Sequence, residues 1–274
     1  MRRVRLRGPS GIETGAVVDG AVVTDTGTRV QPLDPETLAL PAPYELLLPI
    51  EPPEVWCAGV TYERSRDARV EESAVRDVYT LVYDALRPEL FLKDACCRRT
   101  VGPGSAIAVR SDSSWNVPEP EIALVLDGDG GLLGVTIGND VSSRDIEGAN
   151  PLYLPQAKVY VGACALGPAL VSPAPDEPFD IRMCIVDQAG TEVFSGETST
   201  SRMKRSFAEL VDYLFRDNPV PAGSVLLTGT GLVPPDDFTL EPGHVVEIEV
   251  PGIGTLVNPV VLASSLLERS TAHV

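Results

Sequence analysis

Along most of this chain short apolar runs are interrupted by Gly and Pro, the pattern of strands joined by turns. "EIALVLD", "LLGVTIGND", "FDIRMCIVD", "SVLLTGTG" and "VVEIEVPGIG" each read as a strand. Near the start, "GAVVDGAVVTD" is two such runs split by Asp19-Gly20, a two-residue hairpin signal. One long segment departs from this pattern. In "SRDARVEESAVRDVYTLVYDALRPELF", Val75, Val78, Tyr79, Val82 and Leu86 recur at helical spacing until Pro88 stops the run. A second helix is expected near residues 204–215. The prediction is an α+β chain that is mostly β. Pro41, Pro43, Pro49, Pro52 and Pro53 mark a joint, so residues 1–50 are expected to form a small strand-rich lobe and residues 51–274 the main domain.

Charge and composition narrow the function. A formal net charge of −17 over 274 residues disfavours nucleic acid and anionic membranes as partners. Arg2, Arg3, Arg5 and Arg7 are followed by no apolar stretch, so a signal peptide is not expected. The most apolar stretch, residues 159–171, is broken by Gly162, Gly167 and Pro168 and falls short of the ~20 residues of a membrane span. Cys57, Cys96, Cys97, Cys164 and Cys184 are odd in number and lack paired spacing. Reduced thiols in a cytoplasmic protein fit them better than a disulfide framework. The adjacent Cys96-Cys97 reads as packing more readily than as a metal site.

The candidate chemistry sits in "PEPEIALVLDGDGGLLGVTIGND". Residues two apart on a strand share a face, so Glu119 and Glu121 point the same way, ahead of Ala123 and Val125. A turn centred on residue 129 pairs residue i with residue 258 − i, which sets Asp140 opposite residue 118; a slip of one sets it beside Glu119. Such converging carboxylates need a cation, or one of them must hold a proton. Oxygen ligands suit Mg²⁺, Mn²⁺ or Ca²⁺ rather than zinc. By spacing alone, a solvated strand start beside an unrelated Asp is the competing reading.

"PEPEIALVLD", "GVTIGNDVSSRD", "LLTGTG" and "PGIGTLVNPV", in that order, resemble the fumarylacetoacetate hydrolase family over residues 54–262. The resemblance implies a mixed β-roll fold and Mg²⁺ (or Mn²⁺) held by Glu119, Glu121 and Asp140. It also implies a homodimer or homotetramer acting on a small anionic 2-keto acid. Two departures stand out. Where the family's hydrolases carry Gly-x-Asn-Tyr-x-x-His with a Glu three residues on, this chain has "GVTYERSRDAR", with Thr61 for the Asn, Ser65 for the His and Ala68 for the Glu. Neither serine nor alanine is a base near neutral pH. The only histidines are His244, in a turn before a strand, and His273 near the terminus. The hydrolases also often place a Gln two residues after their Arg-Asp, where this chain has Glu147. Lys158 matches a family lysine beside the metal-bound substrate, and Thr230 a threonine near the substrate carboxylate.

Within the family the residues look most like the dehydratases of 2-keto-3-deoxy sugar acids, which make 2,5-dioxopentanoate from 2-keto-3-deoxy-pentonates. In that reading the divalent ion acidifies the C3 protons. Glu147 or Glu72 accepts one, and Lys158 helps the C4 hydroxyl leave. Arg144 braces Asp140 or a substrate oxygen, Thr230 and the Gly-rich backbone donate to the substrate carboxylate, and Ser65 lies on the substrate side. Arg64 or Arg69 could hold a substrate carboxylate, with a solvated helix start as the plain alternative. Two rival functions stay open: another 2-keto acid reaction such as decarboxylation, hydration or acylpyruvate hydrolysis, and a non-catalytic binder of small acids.

Overall fold

The structure, a computed structural model, describes residues 1–64 and 81–271. Its N-terminal strands are β1 (Arg2–Gly8), β2 (Gly11–Val18), β3 (Ala21–Thr24), β4 (Arg29–Val30) and β5 (Glu45–Leu47). Asp19 and Gly20 turn the chain between β2 and β3 with φ of 49° and 72°, the left-handed pair that a two-residue hairpin turn of this hand requires. Next come β6 (Glu54–Gly59) and β7 (Glu89–Ala95). Most of the expected long helix lies outside the described residues; residues 81–84 are helical, and β7 starts directly after Pro88.

The rest of the chain gives β8 (Thr100–Val101), β9 (Ile107–Val109), β10 (Asn116–Val117), β11 (Pro120–Leu126), β12 (Leu132–Asp140) and β13 (Ser142–Ser143). Helices α1 (Arg144–Ala149) and α2 (Leu154–Lys158) lead into β14 (Cys164–Val171), β15 (Asp180–Val186) and β16 (Glu192–Ser199). Then follow α3 (Phe207–Phe215), β17 (Val225–Leu227), β18 (Val245–Val250), β19 (Gly254–Leu262) and α4 (Ala263–Thr271). The helix expected near residues 204–215 is α3. The Ser206 hydroxyl caps it by accepting the Glu209 amide at 3.1 Å, and Leu210 and Leu214, one turn apart, are buried.

Two sheets hold the core. The larger has 12 strands, ordered β4-β3-β2-β1-β14-β12-β11-β17-β6-β7 with β5 on β1 and β8 on β14; the smaller runs β16-β15-β18-β19-β9. Ile122, Leu124 and Ile137 of the larger sheet pack with Ile181, Met183, Ile248 and Leu256 of the smaller and with Leu210 and Leu214. On the opposite face of β11, Ala123 and Val125 pack with Val55, Cys57, Leu166 and Leu227. β11 is therefore buried along its whole length, which explains a run of apolar residues where a half-exposed strand would alternate. The N-terminal strands enclose their own apolar cluster around Val4, Leu6, Val22 and Leu38, while β1 bonds to β14.

Register along the β11–β12 hairpin decides what meets at its open end. Near the turn Leu126 faces Leu132, a sum of 258. A bulge between Val125 and Leu126 shifts the pairing, so that Glu121 faces Gly138 and Pro120 faces Asn139, a sum of 259. Continued outward, Asp140 falls opposite Glu119, and its amide donates to the Glu119 carbonyl at 3.0 Å. The slip of one residue left open by the spacing is thus a bulge beside the turn. Asp127 holds that turn: its Oδ1 accepts the amides of Asp129 at 2.8 Å and Gly131 at 2.7 Å. Asp127→Ala is expected to lower stability by about 1–2 kcal/mol, read as a lower urea midpoint at unchanged slope.

Candidate metal and acid–base site

The hairpin's open end delivers Glu119, Glu121 and Asp140, which are 4%, 1% and 1% exposed. Each offers a carboxylate oxygen within 4.8 Å of the others. Among the described residues this is the only group of three or more His, Cys, Asp or Glu side chains so placed. The cysteines Cys96 and Cys97 are not part of such a group, and burial with the charge of Asp94 pushes the Cys97 thiol up to about 11.

Basic side chains crowd this acid cluster. Lys158, at the end of α2, donates to Glu119 Oε2 at 3.0 Å and Asp140 Oδ2 at 2.9 Å, and also contacts the Ser142 hydroxyl. Arg144, the first residue of α1, donates to Glu119 Oε1 at 3.1 Å and so braces one carboxylate of the cluster. Ser142 donates to the same oxygen at 2.8 Å. The Gly229 amide donates to Glu121 Oε2 at 2.6 Å. Lys93 pairs with Asp140 Oδ1 and donates to the Val141 carbonyl at 2.9 Å.

Even so, burial first, then the charges of Asp140 and Glu119, hold the Glu121 carboxyl well above its ordinary value, against the opposing pull of Lys158 and the Gly229 amide. Three carboxylates face three cations here, so burial rather than surplus charge is the main cause of that rise. The all-oxygen donor set fits a hard divalent ion.

A small cavity opens beside the cluster, lined by Gly59, Val60, Glu89, Phe91, Glu119, Asp140, Glu147, Lys158 and Thr230 among others. It brings Glu147 and Lys158 to one wall with Glu119 and Asp140. Thr230 also reaches the wall, but its hydroxyl donates to the Leu232 carbonyl at 3.1 Å and accepts the Leu232 amide at 3.2 Å, a local turn. Ser65 and Glu72, like Ala68 and Arg69, lie outside the described residues. Arg64 is exposed. His244 accepts the Glu241 amide in the turn before β18 and stacks on Phe238.

Two residues that pattern reasoning missed are Glu89 and Lys93. They sit on β7, where Glu89 and Phe91 are two apart and share one face, and Lys93 is the extra residue of a bulge opposite Val55 and Trp56. Leu90, Phe91 and Leu92 are consecutive apolar residues without alternation, which hides that face. A Cβ built on Gly59 would lie 2.1 Å from Glu89 Oε2, so the Glu89 carboxylate crosses the space that only glycine leaves.

Residues 54–261 match the family described as fumarylacetoacetate (FAA) hydrolase C-terminal. The chain is 50% identical over 219 residues to a 2-dehydro-3-deoxy-D-arabinonate dehydratase from Saccharolobus solfataricus, covering 77% of this chain and 73% of that one. It is 52% identical over 215 residues to a probable 2-keto-3-deoxyxylonate dehydratase from Haloferax volcanii, covering 78% and 74%. A solved structure of 2-keto-3-deoxy-D-arabinonate dehydratase complexed with magnesium and 2,5-dioxopentanoate superposes with a TM-score of 0.83 at 39% identity, covering 95% of this chain and 98% of that one.

The raised Glu121 carboxyl makes a pH prediction. A group whose folded value is raised contributes stability that is present below its unfolded value and is lost as pH rises through the folded value. The metal-free protein should therefore lose stability as pH rises from the carboxylate range. Glu121→Gln should remove that loss, being more stable than wild type by about 1–3 kcal/mol at pH 8 with the gap closing by pH 4. Urea unfolding in EDTA at the two pH values checks it.

Proposed function

The chain belongs to the fumarylacetoacetate hydrolase family, and on that premise we propose that it is a metal-dependent hydro-lyase converting a 2-keto-3-deoxy-pentonate to 2,5-dioxopentanoate. The observation that carries this reading is one small cavity whose wall joins Glu119 and Asp140, two of the three clustered carboxylates with Glu121, to Lys158, Glu147 and Glu89. The three carboxylates would hold Mg²⁺ (or Mn²⁺), which supplies Lewis acidity to a bound 2-keto acid and so acidifies its C3 hydrogens.

The side chains then divide the proton work. Glu147, 3% exposed on the cavity wall, accepts the C3 proton; Glu89 lines the same cavity and is the second carboxylate in reach. Lys158 delivers a proton to the departing C4 hydroxyl. Loss of C3–H and C4–OH leaves an unsaturated keto acid whose C5 alcohol isomerises to an aldehyde, with no carbon lost and no redox change. Arg144 and Ser142 fix the Glu119 carboxylate, and the Gly229 amide fixes Glu121. Among the described residues the only imidazole, that of His244, sits in the turn before β18, and position 65 is serine, so water activation for C–C hydrolysis finds no base there.

The catalytic work falls to residues 51–274, with residues 1–50 as the small N-terminal lobe. All five cysteines are free thiols, which supports a reducing, cytoplasmic setting. Among the described residues no helix is long and apolar enough to cross a membrane. Assembly as a homodimer or homotetramer follows from the resemblance; light scattering should give at least twice the chain's 29.2 kDa, and a monomer at micromolar concentration would count against it.

The reaction itself is tested by NMR in deuterated solvent with a 2-keto-3-deoxy-pentonate. Wild type with Mg²⁺ should give the C5 aldehyde, and EDTA should stop both turnover and C3 exchange. Glu147→Gln should lose exchange and turnover together, by about 10²–10⁴-fold. Lys158→Ala should retain exchange and lose elimination. Full exchange in Glu147→Gln, with loss in Glu89→Gln, transfers the base to Glu89. Decarboxylated product, or none with any 2-keto acid, overturns the dehydratase.

A further inference from the structure

In each metal-site carboxylate one oxygen is held by a protein group other than Lys158. Glu119 Oε1 accepts from Ser142 and Arg144 at 2.8 and 3.1 Å. Glu121 Oε2 accepts the Gly229 amide at 2.6 Å. Asp140 Oδ1 is paired with the Lys93 ammonium, whose side chain is 0% exposed and which is anchored in turn on the Val141 carbonyl at 2.9 Å. Glu119 Oε2 and Asp140 Oδ2 instead face a common point, now bridged by Lys158 at 3.0 and 2.9 Å. The cluster thus presents its carboxylates one oxygen at a time.

Denticity separates the two common hard cations. Ca²⁺ takes 6–8 oxygens in flexible shells and readily uses both oxygens of one carboxylate, whereas Mg²⁺ requires a tight octahedron of single oxygens. The caps are unequal in kind. A backbone amide caps Glu121, two side chains share the cap on Glu119, and at Asp140 one buried ammonium does it. Turning Asp140 Oδ1 toward an ion breaks that charge-assisted pair and strands Lys93 without a counterion in a dry site.

We infer that Lys93 sets the ion selectivity of the site, by holding Asp140 to a single ligand oxygen and so favouring Mg²⁺ over Ca²⁺. This rests on the reading that the three carboxylates hold a divalent ion. Lys93 acts through Asp140 and is a positioning residue; Lys158, on the ligand-side oxygens, has a different task. Charge alone would make its removal strengthen both ions alike, whereas a denticity constraint favours Ca²⁺ selectively.

The test is calorimetric titration of the metal-stripped protein with Mg²⁺ and with Ca²⁺, in wild type and Lys93→Met, with thermal unfolding to verify the fold. The ratio of the Ca²⁺ to the Mg²⁺ dissociation constant should fall by about tenfold in the variant, the scale of outer-shell effects on metal sites. Lys93→Gln, which retains a donor for the Val141 carbonyl, is measured alongside and carries the test should Lys93→Met not fold. Infrared carboxylate bands give a readout that needs no variant: Ca²⁺-loaded wild type should show single-oxygen ligation only. An unchanged ratio in a folded variant, or two-oxygen ligation in wild type, overturns the role of Lys93 while leaving the metal site standing. Failure of wild type to bind either ion overturns the metal reading, and this inference with it.

Discussion

Three carboxylates cannot share a dry pocket on their own, and the architecture around this site is the answer to that constraint. Burial of a single ionised carboxyl costs several kcal/mol unless it is paired, and here Glu119, Glu121 and Asp140 are all at most 4% exposed. Lys158, Lys93 and Arg144 are each at most 2% exposed and converge on them from α2, β7 and α1. Every one of these cations is itself tolerable only because the carboxylates are there. The acid and base halves of the site are mutually required, so elements far apart in sequence must close on one point for the core to form at all.

The scaffold that permits this closure is the central strand β11. Its flanks pair with β12 and β17 and both its faces are packed, so the end carrying Glu119 and Glu121 has little freedom. β12 brings Asp140 to the same end, and Ser142 and Arg144 follow within four residues. β17 ends at Leu227, two residues before the Gly229 amide that holds Glu121. One hairpin and the strand beside it therefore supply the ligands and most of the groups that orient them. Lys93 comes from the sheet's far edge, carried there by the pairing of β7 with β6.

How much of this was legible in the sequence depended on whether the signal was local. The β2–β3 turn at Asp19-Gly20, the β11 and β12 strands and the shared face of Glu119 and Glu121 follow from adjacent residues, and the structure has them. The offset between Glu119 and Asp140 was legible only to within one residue, because a bulge beside the turn has no signature in "VLDGDGG" beyond its glycines. Glu89 and Lys93 were not legible. Their strand carries three apolar residues in succession, and an acid and a base on it look like ordinary surface charges until β6 and β12 are placed beside them. A bracing role for Arg144 follows from the resemblance, whereas its bond to Glu119 depends on where α1 starts in space. The acid–base roles follow from resemblance, and the geometry sets Glu147 and Lys158 in one cavity wall.

Backbone strain follows the same map. Val60 has φ 52°, a conformation that a β-branched residue adopts at a cost of about 1–3 kcal/mol and that persists only where its surroundings over-determine it. It stands in the cavity wall between Gly59, whose missing Cβ makes room for the Glu89 carboxylate, and Thr61, whose hydroxyl donates to the Thr228 carbonyl at 2.8 Å. Across from it, a Cβ on Gly229 would lie 2.1 Å from Thr61 Oγ1 and 2.9 Å from the Ala58 carbonyl. The ends of the parallel strands β6 and β17 are thus pressed together more closely than side chains allow. That approach aims the Gly229 amide at Glu121. The strain at Val60 and the glycine at 229, whose φ is 89°, accompany this close backbone approach beside the acid cluster.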